Sequence, residues 1–485
     1  MEIDQIKNNP IYKNAFEWRF EFPEILSNDG EFEGFDLIIG NPPYIQLQKL
    51  NAGVKKGLEQ QQFKTFTKSG DIYQLFYEHG LNLLKSKGQL SYITSNKWMR
   101  TDYGESTRDF LSSQCDTTLV VDFGMKQIFE SATTYTNILF LQKVEAKRTI
   151  KMCRVNDSFD INSILEDYVD YLSLDIENPG KKSWISYEKE EYELIKKIIS
   201  QGKPIKEWDV KINRGILTGY NEAFIINSET RDSILSKDAK SAEIIRPLLR
   251  GEDVKAYIPH WAGLWVIGTF PSLNIDLEEY PGIKSYLLPF KTRLEPKPKN
   301  YDEEKQGQWK GRKSGSYKWF ETQDSISYYE DFLKPKIIYP NMTKYMPFVY
   351  DKHQFFTNQK CFIITGNQLG YLTAFLNSKI FRFAFKDYFP ELLGDTKELS
   401  KVFFENVAIK EVDGITNGLF DVWVETLVKQ KKNGQLSIHI ENEIDIKLAS
   451  LYSLNEDEVR LISRSENSED ETNPFTSALS EFVKS

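Results

Sequence analysis

The chain has 485 residues, 40% hydrophobic and 27% charged. That is an ordinary balance for a soluble globular protein, with length for roughly three domains, or two and an appendage. A formal net charge of −9 gives no global signature of nucleic-acid binding, so any such claim rests on local charge. Cys115, Cys153 and Cys361 are far apart and lack CxxC spacing, which excludes a disulfide scaffold and a cysteine zinc site.

The opening residues lack the apolar core of a signal peptide. No apolar run approaches ~18 residues, so a cytoplasmic chain without a membrane partner is expected. Phe35 to Gly40 is a short apolar run stopped by Asn41-Pro42-Pro43 and predicts a buried strand. Asp71 to Leu84 has apolar residues near helical spacing, with KSKG closing the helix. Gln89–Asn96, Leu119–Gly124 and Asn137–Lys143 are β-rich, and the alternation of strand and helix predicts a largely parallel sheet. From about Trp184 the texture changes: Glu188 to Ser200 predicts a helix, followed by many short strands, aromatics and Pro/Gly turns. Between Phe290 and Trp319, Lys291, Arg293, Lys297, Lys299, Lys305, Lys310, Arg312, Lys313 and Lys318 outnumber the acidic residues, with Tyr301, Trp309, Tyr317 and Trp319 interleaved. Ile444 to Ile462 predicts two helices joined at Ser453–Asn455, with Asn455 capping the second. The polar, acidic stretch after them predicts a disordered tail.

Asn41-Pro42-Pro43-Tyr44 carries the most chemistry. Two prolines fix φ and hold the backbone extended at the carboxyl end of a strand, where α/β proteins place ligands. The Asn41 amide and the Pro42 carbonyl present two acceptors to one amino group, and Tyr44 comes next as a flat stacking partner. An exocyclic aromatic amine is a poor nucleophile because its lone pair is delocalised into the ring. Two acceptors that take its N–H bonds favour a pyramidal nitrogen and aim the lone pair at an electrophilic methyl. The competing reading is a strand-terminating turn with Tyr44 as a core aromatic.

FDLIIGNPPYIQ resembles motif IV of the amino-group DNA methyltransferases that modify adenine at N6. EWRFEFPEIL (Glu17–Leu26), Gly70–Met99, Tyr103–Leu111 and Val120–Leu141 resemble the lead-in and motifs V to VIII of type IIG restriction–modification enzymes. Arg214–Ile226 and Ile244–Tyr257 resemble the TaqI-like C-terminal specificity domain. The resemblance implies an α/β fold: a partial Rossmann-like methyltransferase sheet (1–183), a mixed α+β DNA target-recognition domain (184–425) and a short helical C-terminus (426–485). It implies a site-specific, adenine-specific DNA methyltransferase of a restriction–modification system. S-adenosylmethionine is the implied cofactor, double-stranded DNA the partner, and base flipping the means of access. Asn41, Pro42, Pro43 and Tyr44 would be catalytic, with Tyr44 and Phe129 stacking on the extruded adenine. Extrusion costs a few kcal/mol and stacking returns ~1–3 kcal/mol per base.

The pattern is incomplete. No strand followed by a GxG turn precedes Asn41, and Asp122-Phe123-Gly124 is the nearest later string, so the cofactor-binding residues are unassigned. The strand ending at Ile39 would be left as an exposed apolar edge, which natural proteins avoid. The expectation is therefore the carboxyl-terminal part of a longer enzyme: a split subunit that works with a separate N-terminal methyltransferase or nuclease polypeptide, a truncated gene product, or an expressed fragment. The alternative is a catalytically inactive DNA-binding specificity module. No Asp…Glu-x-Lys nuclease constellation is present. His79, His260, His353 and His439 lack metal-ligand spacing, so no metal is expected.

For DNA contact the candidates are Lys310, Arg312 and Lys313 in the basic segment, and Arg214, Arg246 and Arg250 in the specificity-domain strings. The alternative for the basic segment is a solvated loop, and Arg214, Arg246 and Arg250 each have a structural alternative as an ion-pair residue.

Overall fold

The computed structural model describes residues 16, 18–124, 126–129, 135–155, 159, 164–392 and 396–467. The chain divides into two compact units, Met1–Glu193 and Leu194–Ser485. The architecture is mixed α/β, with several sheets and interspersed helices. The stretch expected to be disordered starts as helix, since Ser463–Asn467 close the last described helix (Glu456–Asn467), and its remainder lies outside the described residues.

In the first unit, strands β1 (Phe35–Gly40), β2 (Leu84–Ser95), β3 (Asp116–Asp122), β4 (Thr136–Gln142), β5 (Thr149–Arg154) and β6 (Leu174–Glu177) form one sheet, in the order β1-β2-β4-β3-β5-β6. The sheet is not largely parallel. β1 runs parallel to β2, and β3 to β5, while the β2–β4, β3–β4 and β5–β6 pairs are antiparallel. The reason is topological: β4 returns between β2 and β3 and must oppose both. KSKG does not close a helix as a loop. The helix α1 (Ile72–Leu83) gives way directly to β2, with Lys87 at φ +66° and a register shift between Phe35 and Leu37.

Tyr73, Tyr77, Leu81, Leu90, Tyr92 and Trp98 pack with Val120, Leu139 and Leu141 in the core between α1 and the sheet. Among the described residues β1 is an edge strand, whose Leu37 and Ile39 remain 52% and 73% exposed. That is the bare apolar rim expected from the sequence.

The second unit holds two four-stranded sheets. One orders Val349–Asp351, Lys336–Pro340, Cys361–Gly366 and Val210–Arg214; the other orders Phe356–Thr357, Ile245–Leu249, Leu264–Ile267 and Ile225–Asn227. Helices Leu369–Asn377 and Lys379–Phe385 are almost wholly enclosed. The helix Gly414–Lys432 runs through residue 425, so no element ends there. Asn455 caps the last described helix, its Oδ1 accepting from the Glu458 N–H at 2.9 Å. Among the described residues no helix is long and apolar enough to cross a membrane.

Candidate functional site

At the end of β1 the chain passes close to its neighbour. A Cβ on Gly40 would meet the Tyr92 ring at 3.1 Å, tighter than an ordinary contact, so a side chain there would push the adjoining corner outward. Pro42 is buried, while Asn41 and Pro43 are exposed. Among the described residues the Asn41 side chain has no hydrogen-bond partner, so its amide is open to a ligand.

Three bonds brace the residues just beyond the prolines. The Tyr44 hydroxyl donates to the Ile93 carbonyl at 3.2 Å, the Ile72 N–H to the Ile45 carbonyl at 2.9 Å, and the Leu47 N–H to the Gly70 carbonyl at 2.8 Å. The corner is therefore fixed both to β2 and to the start of α1. Tyr44 is half-buried and meets Tyr73 edge to face, ring centroids 6.1 Å apart, and burial raises its hydroxyl pKa. Its ring is neither sealed in the core nor free to swing.

Asp71 sits opposite Gln46 in an antiparallel bridge, and its Oδ2 accepts a long bond from the Tyr103 hydroxyl at 3.4 Å. Burial raises its carboxyl above the ordinary value, opposed by the Tyr103 bond and by Lys97 and Lys49. The resemblance to motif V covered this residue but assigned it no role. Its signal was positional: it immediately precedes an apolar helix.

Phe129 is partly buried and joins no described ring, Tyr44 included. Residues 125 and 130–134 lie outside the described residues, so the segment that carries Phe129 is only partly defined.

The described residues do not build a cradle for S-adenosylmethionine. Asp122 is the acidic residue nearest to the required pattern, and its own chain engages both of its oxygens. Oδ1 accepts from the Asn96 amide at 2.8 Å and the Gly124 N–H at 3.0 Å, and Oδ2 accepts from the Ser186 hydroxyl, with Arg154 at 3.8 Å. Most of its acceptor capacity is therefore taken by its own chain.

In the second unit the candidate cations separate by partner. Lys310 and Lys313 are exposed and have no ion-pair partner among the described residues. Arg214 is exposed, with one bond from Nε to the Gln359 carbonyl at 3.2 Å. Arg246 reaches the Ala242 carbonyl and the Tyr329 hydroxyl, both at 3.4 Å. Arg250 is held by acidic neighbours: its Nε and Nη2 bond Asp253 at 3.1 and 2.9 Å, and its Nη1 lies 2.5 Å from Glu252. Arg312 is 4% exposed and surrounded by carbonyl oxygens. The donors of Arg250 are thus engaged by carboxylates and those of Arg312 by carbonyl oxygens, so Arg312 is no part of a solvated loop.

Residues 2–129 match the family described as Eco57I restriction-modification methylase, and residues 246–407 match the TaqI-like C-terminal specificity domain. The chain is 24% identical over 452 residues to the type II methyltransferase M.BstVI of Geobacillus stearothermophilus, covering 88% of this chain and 75% of the relative. It is also 24% identical over 379 residues to M.XhoI of Xanthomonas vasicola, covering 74% of this chain and 65% of that protein, just under two thirds of its length. A solved structure of the type IIL enzyme MmeI in complex with DNA aligns with 91% of this chain and 57% of its own, at 11% identity and a TM-score of 0.43. So distant a likeness says nothing about chemistry.

Proposed function

We propose that this chain is the amine-holding and DNA-reading part of a site-specific adenine-N6 DNA methyltransferase of a restriction–modification system. Residues 1–183 serve methyl transfer and 184–425 target recognition, with the helix Gly414–Lys432 spanning the boundary to a C-terminal segment whose described residues are helical. The observation that carries the reading is the exposed, unpartnered Asn41 amide on a corner braced through Tyr44, Ile45 and Leu47. Such a corner holds two acceptors still while a flipped base enters, so the alignment of the amine is set before reaction. Asn41 Oδ1 and the Pro42 carbonyl would take the two N–H bonds. Tyr44, with Phe129 as second aromatic, would stack on the ring.

S-adenosylmethionine supplies an electrophilic methyl in this chemistry. The described residues leave its binding to another source. A separate methyltransferase or nuclease polypeptide has a place to join at the open rim of β1.

The test is Asn41→Ala in the complete enzyme. Methyl transfer to duplex DNA falls by at least two orders of magnitude, on the scale of losing a preorganised hydrogen-bonding group, while DNA affinity is kept. Ordinary turnover removes the corner from the mechanism.

Asp122, with both oxygens engaged by its own chain, favours a second reading, a DNA-binding specificity module without catalysis. Calorimetric titration with S-adenosylmethionine, on the chain alone and with a co-encoded polypeptide, separates the two. Heat in neither case selects the second.

A further inference from the structure

Between Pro296 and Arg312 the chain forms a closed loop. Its ends meet in a parallel bridge, with the Lys297 N–H donating to the Arg312 carbonyl at 3.0 Å and the Arg312 N–H to the Glu295 carbonyl at 2.9 Å. The interior is ordered by its own side chains. Tyr301 and Trp309 meet edge to face with centroids 4.8 Å apart, the Tyr301 hydroxyl donates to the Gln306 and Gly307 carbonyls, and the Trp309 indole donates to the Arg312 carbonyl at 3.1 Å. Two lysines are paired within the loop, Lys297 with Glu303 at 2.8 Å and Lys305 with Asp302 at 3.3 Å. Lys299 and Lys310, with Lys313 just beyond, are exposed and have no ion-pair partner among the described residues.

Beneath the loop, Arg312 ties four segments of chain together. Nε donates to the Leu294 carbonyl at 2.7 Å and Nη1 to Thr218 at 3.1 Å, while Nη2 bonds Lys318 at 3.2 Å and Trp319 at 3.1 Å. The Tyr317 ring covers the guanidinium at 4.3 Å, and Phe224 lies at 5.4 Å. Gly219, at φ +80°, leaves room for the stem: a Cβ there would come within 3.0 Å of Arg312 Cδ. A cation this enclosed is tolerated only because carbonyl oxygens take its donors, and burial pulls its pKa down to about 10.

We infer that Arg312 is the positioning residue of a preformed duplex-binding surface, fixing Lys310 and Lys313 against DNA phosphates without touching DNA itself. The inference rests on the proposed reading of this unit as DNA-binding. Lys310 and Lys313 flank the anchored residue, so their backbone positions are set before DNA arrives. A loop already ordered loses less conformational freedom on binding than one that must fold onto its partner. The acidic balance of the whole chain then matters little, because only the cations left unpaired by the loop's own carboxylates face the phosphates.

The test measures the affinity of the full chain for a mixed-sequence duplex at several salt concentrations, with hydrogen exchange followed over residues 296–313. Lys310→Gln with Lys313→Gln lowers the slope of log affinity against log salt by about 1.8, the value for two lost phosphate contacts. Arg312→Lys keeps the charge but loses the planar fork. It speeds exchange in the loop, leaves the sheets protected, and weakens binding on the order of tenfold. Wild-type affinity in Arg312→Lys overturns the inference, as does an unchanged slope in the double lysine variant. A wild-type chain with no duplex affinity at low salt overturns the DNA reading itself. Should Arg312→Lys not fold, Tyr301→Ala loosens the loop from within, and undiminished affinity there overturns the inference equally.

Discussion

Lys336 Nζ lies 2.7 Å from Asp351 Oδ2, the two side chains 0% and 1% exposed and directly opposite on paired antiparallel strands. The ammonium also donates to the Phe332 carbonyl at 2.6 Å, and the carboxylate accepts the His353 and Phe355 N–H groups, each at 2.8 Å. Burial lowers the Lys336 pKa, which the Asp351 charge opposes. Lys336→Met alone strands a buried carboxylate and should cost about 3–5 kcal/mol of stability, whereas Lys336→Met with Asp351→Leu should cost markedly less. Urea unfolding of the three chains decides it. Equal losses in the single and double variants would show that the pair is not the unit of stability.

Tyr44→Phe and Tyr44→Ala separate bracing from stacking. The first removes the hydrogen bond to the Ile93 carbonyl and should cost about 1 kcal/mol of stability, leaving the stacking face intact. The second removes the ring and should lower the population of extruded base by about 1–3 kcal/mol of lost stacking. Fluorescence of 2-aminopurine at the target position, in the complete enzyme bound to its site, reads that population. Identical signals from both variants would deny Tyr44 a stacking role.

Asp71 gives a pH dependence of defined sign. Its folded-state pKa is raised above the ordinary 3.8, so in that window the native chain holds a proton that the unfolded chain has released. Stability from this group therefore increases as pH falls from neutral through the raised pKa towards 3.8, and the charged form is a net burden at neutral pH. Asp71→Asn should gain most over wild type at neutral pH, with the difference shrinking as acid is added. Denaturant midpoints across that range test it, and a difference that grows in acid would reverse the assignment.

The three thiols should be inert in the folded chain. Cys115, Cys153 and Cys361 are buried, and burial pushes the first two up to about 12 and about 11 and the third higher still. Thiolate is the reactive form, so a disulfide reagent at neutral pH should label none of them quickly until denaturant is added. Rapid stoichiometric labelling of the native chain would contradict the enclosure.

The apolar rim of β1 predicts self-association. Leu37→Lys with Ile39→Thr should raise the concentration at which the isolated chain stays monomeric, measured by light scattering, because charge and polarity on an edge strand discourage added pairing. Unchanged scattering would show that the rim is already covered in solution.

Much of the first sheet was legible. Val120 and Leu139 lie in short β-rich runs, and Ile72 to Leu83 repeats at helical spacing, so the elements fell where side-chain period placed them. Strand direction was not legible, because the period along a strand is the same in parallel and antiparallel pairs. Leu369 to Phe385 was missed as helix because it is enclosed on nearly every side and shows no polar face. Asn41 and Tyr44 stood out because proline restricts what the backbone can do. Arg312 was grouped with Lys310 and Lys313 by charge alone. Only the fold shows that three adjacent cations have opposite fates, one enclosed and two exposed.

The interleaving of Thr136–Gln142 between two earlier strands has a consequence for biosynthesis. Leu84–Ser95 and Asp116–Asp122 share no hydrogen bonds with each other; the first already pairs with the earlier Phe35–Gly40, but the two are joined only through the strand that comes later. While the ribosome is still working towards residue 136, the strand edge that Thr136–Gln142 will cover on each of them presents unsatisfied backbone. The sheet closes as a late insertion, so a ribosome stalled just short of that segment would carry an adhesive nascent chain, and one stalled well past it a compact one.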